Sequence, residues 1–336
     1  MKTYIFKRIL TGMIVLLGVI TITFIMARVI PSDPAAKWVG PKATPEQIAL
    51  AEKELGLDKP MPIQYANYLK ELLKGDLGRS LRTKQPITKE LALYIPATLE
   101  LVLFGFVLAV LIGIPLGIYS AKKKDRLLDH ISRFFSIGFV SLPAFWVALF
   151  LQLVFYKGLG LLPLGGRISI ETTIFHRVPD VTGMLLVDSL ITGNFAIFKD
   201  ALIHIILPGI TIALYPIGLV ARMTRSALLE ILNEDYIASI RSYGVSEGKV
   251  LWKFALKNTL GPTATVLTLS LGYTLVNTFL VETIFSWPGL GSYVATSVIT
   301  LDYPAIIGVT IFSATCYVIL NLIADLIIAL DPRVRF

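Results

Sequence analysis

Six runs of apolar residues divide this chain, near Ile9–Ile30, Thr98–Tyr119, Ile131–Tyr156, Ala201–Ala221, Leu260–Ile284 and Pro304–Leu330. Each is about as long as the roughly 20 residues an α-helix needs to cross a hydrocarbon core. Inside lipid every backbone N–H and C=O must find its partner within the segment or its neighbours, which for apolar runs of this length leaves the helix. The runs therefore dictate an all-α polytopic membrane protein with six transmembrane helices. Composition agrees: 55% of the 336 residues are hydrophobic, 16% are charged, and the mean hydropathy is +0.73. A water-exposed surface cannot be built from that mixture. The first run exceeds the roughly 7–15 residues of a signal-peptide core and has no small-residue cleavage site, so it reads as a retained span.

The net charge of +8 sits in clusters beside the runs: Lys2, Lys7 and Arg8; Lys122, Lys123, Lys124 and Arg126; Arg222 and Arg225; Arg333 and Arg335. An even number of crossings separates each cluster from the next. The positive-inside rule then puts all four, and both termini, in the cytoplasm. The same distribution argues against a nucleic-acid partner. Cys316 is the only cysteine, which excludes an internal disulfide and a thiolate metal cluster. His130, His176 and His204 lack metal-ligand spacing.

This topology gives three regions: an N-terminal transmembrane helix over 1–30, an extracytoplasmic cap over 31–95, and a core over 96–336 that holds spans two to six. In the cap, Thr44-Pro45-Glu46-Gln47 reads as an N-cap, a first-turn proline and a capping-box glutamine, with a stop at Gly56. A second helix fits Ile63 to Lys74. A further outer segment runs from Gly158 to Asp200. Pro115, Pro143, Pro208 and Pro216 predict bent helices, and Gly113 with Gly117 forms a helix-packing pair.

One cytoplasmic stretch, 223–258, breaks the apolar pattern. Asn233 is placed to N-cap a short helix with Glu234 and Asp235 in its first turn. Gly244 supplies the left-handed residue that ends it. Ser246 is placed to cap a second helix with Glu247 in its first turn. Two helices that only lie on the membrane surface would fit the same pattern.

Polar residues within the spans are the other candidates. Asn321 and Asp325 lie one turn apart. An aspartate at mid-membrane costs about 2.5–3.5 kcal/mol on insertion scales, so such a residue faces protein or water. The pair is a pathway or gate candidate, or else Asp325 bonds a neighbouring helix. Glu282, Trp287 and Gly289 close span five and precede a stretch, Ser292 to Ile299, that fits a re-entrant gate helix. Glu100 reads as interfacial.

The stretch from Asp235 to Pro262 resembles the cytoplasmic "EAA" loop of ATP-binding-cassette importer permeases, whose glycine falls on Gly244. Asp235, Tyr236, Arg241, Gly244, Ala255-Leu256-Lys257-Asn258 and Pro262 follow the peptide-importer branch. Ala238, Ile240, Tyr243 and Phe254 depart from it, standing at the glutamate, second alanine, lysine and histidine positions. Along the chain, Pro31-Ser32-Asp33-Pro34, Gly75-Asp76-Leu77-Gly78-Arg79-Ser80, Trp287-Pro288-Gly289-Leu290-Gly291, Asp302-Tyr303-Pro304 and Asp331-Pro332-Arg333-Val334-Arg335 are similar to motifs of the dipeptide, oligopeptide and nickel permease family, in order and spacing.

The resemblance implies a type I importer permease core in a prokaryotic cell membrane. It implies that Asp235, Tyr236, Ala238, Ser239, Arg241, Gly244 and Val245 couple to a cytoplasmic ATPase. The implied partners are a homologous sister permease, two ATP-binding subunits, an extracytoplasmic solute-binding protein and membrane lipid. ATP and magnesium would belong to the ATPases, with no cofactor held by this chain: it has no G-x-x-x-x-G-K-[ST] loop, and Gly248-Lys249 lacks the upstream glycine and the following hydroxyl. Peptides are the expected cargo, with oligosaccharides and nickel complexes as alternatives. A secondary transporter should show paired repeats and buried ion-coupling residues. An intramembrane enzyme should show a nucleophile beside a base. Neither pattern is present in the sequence.

Overall fold

The computed structural model describes residues 2–29, 34–40, 42–178 and 180–330. Residues 31–33 of the Pro-Ser-Asp-Pro motif, the closing 331–335 motif and its basic cluster lie outside the described residues.

The membrane-length helices are α1 (Lys2–Val29), α5 (Ile87–Lys122), α10 (Phe195–Ile231), α12 (Glu247–Ile284) and α14 (Tyr303–Leu330). The remaining apolar run forms a bent pair, α6 (Leu127–Ser141) and α7 (Ala144–Gly158), meeting at 106°. Span three is thus not one straight helix. Leu142 is extended and Pro143 caps the next segment, because a residue before proline is pushed out of the helical region. The pair still joins opposite ends of the bundle. Asp129 near its start bonds Arg225 at the far end of α10, and Gln152 near its finish bonds the Ile284 carbonyl.

Helix α10 is the axis of the fold, packing against α5, α6, α7 and α12. Its 37 residues span about 55 Å, well beyond a hydrocarbon core of about 30 Å. Pro208 and Pro216 do not break it. On α5, Gly113 and Gly117 lie against α10: a Cβ on Gly117 would sit 2.7 Å from the Ala221 carbonyl oxygen and from Thr224 Cβ. Both helices therefore approach at backbone distance, as small residues permit. Helix α5 starts eleven residues before the apolar run does, since Ile87 and Leu91 are buried against Leu290, Ala305 and Val309. That burial overrides the breaker signal of Pro96.

The cap carries α2 (Pro34–Val39), α3 (Pro45–Glu54) and α4 (Met61–Leu73). Helix α3 has the capping box read from its sequence, with Thr44 Oγ1 accepting from the Gln47 amide at 3.3 Å and Gln47 Oε1 from the Thr44 amide at 3.0 Å. Asp302 fastens the following loop. Its buried carboxylate accepts from the Ser80 hydroxyl and from the Leu81 amide at 3.0 Å. Two motifs more than two hundred positions apart in sequence thereby become one turn. Glu90 is tied in the same way to Thr83 and to the Tyr293 hydroxyl.

The second outer segment adds α8 (Ile170–Phe175) and α9 (Leu185–Ile191). Asp188 organises it, accepting from the amides of Val181, Thr182 and Gly183. Burial pushes the Asp188 carboxyl up, yet the hydrogen bonds from Thr182 and these amides outweigh it and hold the group below the usual carboxylate range.

Replacing Gly117 by leucine should force α5 and α10 apart at a cost of about 1–3 kcal/mol. Thermal unfolding of the purified protein in detergent reads this as a lowered midpoint. Gly18→Leu, at a position with nothing within 4 Å, should melt as the wild type does.

Candidate functional site

The polar segment forms at one end of the bundle. After α10, a short turn leads into α11 (Asp235–Ser242). The N-cap is Glu234 rather than Asn233, whose side chain instead donates to the Leu229 carbonyl. Gly244 takes φ +73°, the left-handed value that turns the chain into α12. Ser246 stands at the N-cap of α12 without a side-chain bond. The second helix is not a separate element: it continues as span five, through a π-helical stretch over Val250–Ala255.

One face of α11 is anchored and the other is open. Ile237 is fully buried among Ile118, Leu228, Val250, Leu251 and Ala255. Asp235, Tyr236, Ala238, Ser239, Arg241 and Gly244 are exposed, and Val245 is half-buried. Across the turn, the Arg241 guanidinium grips Glu247 with both forks, at 2.8 and 3.2 Å. Such a half-exposed pair adds little stability, but it sets the angle between α11 and α12. Asn258 Nδ2 donates to the Tyr236 hydroxyl at 2.6 Å, a second brace. Beside them lies a cavity of about 500 Å³ lined by Glu230, Glu234, Tyr236, Asn258 and Pro262.

Behind this face is an ion pair that the sequence reading missed. Asp129, with no exposed surface, accepts from Arg225 Nε at 2.7 Å and Nη2 at 2.8 Å, from Ser120 Oγ at 2.6 Å and from the Asp125 amide at 2.9 Å. Every lone-pair direction is used, as a buried carboxylate requires. The pair locks α5, α6 and α10 where the polar segment begins. In the sequence, Arg225 reads as one more inside charge; an acid on α6 facing a base on α10 was the available signal.

At the opposite end, α12 turns through Trp287 and Pro288 into α13 (Leu290–Ile299). Glu282 is completely buried. One carboxylate oxygen accepts from Thr98 Oγ1 at 2.7 Å; the other accepts from the Gly291 amide at 2.6 Å and the Ser292 amide at 3.4 Å. Thr98 Oγ1 in turn accepts from the Leu290 amide at 2.7 Å. Trp287 Nε1 donates to the Ala97 carbonyl at 2.8 Å. A Cβ at Gly289 would overlap the Glu282 carboxylate, so glycine is needed there for close approach. The Arg167 guanidinium lies 5.6 Å above the Trp287 ring and pairs with Glu100 at 2.5 Å. Glu100 is buried by this pairing, not interfacial.

The five pathway or gate candidates thus separate. Glu282, Trp287 and Gly289 meet in one buried knot. Asn321 and Asp325 lie at the other end, where Asp325 pairs with Arg8 of α1 at 3.1 Å. Asn321 lines a cavity of about 390 Å³ with Thr11, Thr265 and Tyr317.

Residues 113–336 match the family described as "Binding-protein-dependent transport system inner membrane component", and residues 1–102 match its described N-terminal region. The probable D,D-dipeptide transport system permease protein DdpB of Escherichia coli is 44% identical over 96% of this chain and 94% of its own length. The dipeptide transport system permease protein DppB of Alkalihalophilus pseudofirmus is 41% identical over the full length of both. The oligopeptide transport system permease protein AppB of Bacillus subtilis is 34% identical over the same extent.

Glu282→Ala should leave the Gly291 and Ser292 amides and the Thr98 hydroxyl without their acceptor, at about 1–3 kcal/mol for each buried group. Glu282→Gln, which keeps a carbonyl oxygen, should lose less. Unfolding midpoints in detergent rank the two, and an alanine variant as stable as the wild type would contradict the capping role.

Proposed function

The chain belongs to the family of binding-protein-dependent transport system inner membrane components, and from that premise we propose that it forms half of the translocation pathway of an ATP-driven peptide importer. It is a multi-pass membrane protein of that class. The relatives named above carry dipeptide or oligopeptide transport in their names, which supports peptides over oligosaccharides or nickel complexes. The chain would act as a transport subunit, with no ATPase site of its own. It would pair with a sister permease, two ATPase subunits and an external binding protein. Both termini would be cytoplasmic and the cap external.

One observation carries the mechanism. The exposed face of α11 is joined through the Gly244 turn and the Arg241–Glu247 clamp to a helix that runs unbroken from Glu247 to Ile284. Its 38 residues reach about 57 Å, from the face offered to an ATPase to the Glu282 knot at the other end. A displacement of α11 is therefore delivered along one helix to α13 and Trp287. The buried Asp129–Arg225 pair keeps α10 from absorbing it locally. Closure of the ATPases would move α11, and rigid-body motion of α12 would open the pathway toward the binding protein.

Valine at position 244 must adopt a left-handed conformation at a cost of about 1–2 kcal/mol, with no side-chain clash nearby. In proteoliposomes holding the whole importer, Gly244→Val should abolish peptide uptake while ATP hydrolysis persists. Normal uptake at normal assembly would refute the lever.

A further inference from the structure

Helix α12 presents two faces. One is buried and includes Thr259, Thr263, Ser270, Thr274 and Thr278. On the other, Leu269, Tyr273, Val276, Asn277 and Leu280 stand open, at positions that recur with helical spacing. Tyr273 is 46% exposed. On α1, by contrast, the exposed side chains between Met13 and Leu17 are all apolar. An open asparagine and tyrosine on a membrane-length helix call for water or a polar ligand.

The geometry of these groups is specific. Asn277 lies seven residues, about 10 Å, before the end of α12, inside its apolar run. Its Nδ2 donates to the Tyr273 carbonyl at 2.8 Å, which fixes the amide and leaves Oδ1 without a partner among the described residues. The Tyr273 ring stacks on Tyr215 of α10 with centroids 4.5 Å apart, holding its rotamer. Neither phenol hydroxyl bonds another described residue. Tyr273 and Asn277 line a cavity of about 830 Å³ bounded by α12, α13, α14 and α1, to which Thr278, Thr310, Ser313 and Tyr317 bring the other polar groups. Otherwise the lining is apolar. A concave, largely apolar site with a few convergent polar groups is how a small organic ligand is held.

We infer that the Tyr273–Asn277 face of α12 is the wall that a peptide backbone slides along during import. This rests on the reading of the chain as a peptide-importer permease. The Asn277 amide and the Tyr273 and Tyr317 hydroxyls offer donors and acceptors suited to backbone amides, which every peptide carries. Val276 and Leu280 give side chains an apolar surface without selecting among them. From Tyr273 to Leu280 the helix rises about 10 Å, the length of two to three extended residues at about 3.3–3.6 Å each. The wall therefore reads peptide length and backbone and is tolerant of sequence.

The test uses the complete importer in proteoliposomes with its binding protein and a radiolabelled dipeptide. Asn277→Leu, which leaves an open helix position apolar and foldable, should cut peptide moved per ATP hydrolysed by about fivefold, the value of one lost hydrogen bond of ordinary strength. Asn277→Gln should recover most of it. A benzophenone amino acid placed at 277 should cross-link the labelled peptide during turnover, and one placed at Ile14 should not. Cross-linking at 277 to the sister permease or to lipid alone would overturn the inference, as would undiminished uptake by Asn277→Leu. Absence of peptide uptake by the wild-type importer would instead refute the functional reading, and this inference with it.

Discussion

A helix that begins in a buried setting has amide groups with nowhere to go, and the carboxylate of Glu282 is where this protein sends them. Without it the start of α13 would be a cluster of buried, unsatisfied donors that the apolar neighbours could not relieve. The same carboxylate holds Thr98, whose hydroxyl takes the Leu290 amide, and the Trp287 indole closes onto Ala97. Three elements, α5, α12 and α13, are thereby joined through groups none of which can let go singly at low cost. The cap follows from this tie, because Tyr293 on the anchored α13 is what Glu90 and Tyr94 pack against.

At the other end the ordering problem is different, since a surface must be held rigid yet open. Ile237 supplies the single buried anchor, and the turn beyond it is set by one left-handed glycine and one two-pronged ion pair. Deep burial is reserved for the pair behind it, Asp129 with Arg225, where truncating either partner would strand a charge. Because α10 and α12 each run the length of the bundle, the two ends are not independent domains joined by loops. They are opposite ends of the same helices, and packed interiors shift between discrete arrangements rather than deforming smoothly.

Much of this was legible in the sequence. Apolar run length located the five membrane-length helices and the bent pair, and capping chemistry at Thr44 found α3. The left-handed turn at Gly244 followed from one glycine between two polar, helix-patterned segments. What escaped were features set by tertiary contact. The second span starts before its apolar run, because Ile87 and Leu91 find a buried face that run length does not show. Leu142-Pro143 reads as a kink, and packing of α6 and α7 on different parts of α10 opens it to a sharp bend. Asp129 gives no local sign of its partner 96 residues away. Glu100 and Glu282 look like carboxylates at a span's edge until their donors arrive from distant segments.

These misses share a cause, and it bears on how polar residues in such chains are to be interpreted. Sequence position says that a polar group lies in an apolar run but not whether a partner will meet it. Glu100 and Glu282 draw attention as charges, Asp129 and Asp302 do not, and each of the four is consumed by ties that hold the fold. Asn277 and Tyr273 carry no charge and look unremarkable in a row of threonines and leucines, yet Asn277 keeps an acceptor, and Tyr273 a hydroxyl, that no described residue uses. Desolvation explains the inversion: a charge at membrane depth must be neutralised for the protein to fold, so it is seldom available to cargo, whereas an uncharged amide or phenol can remain open at modest cost. In a permease that must release what it binds, weak and neutral groups are also the better wall, since each contact has to be broken in transit.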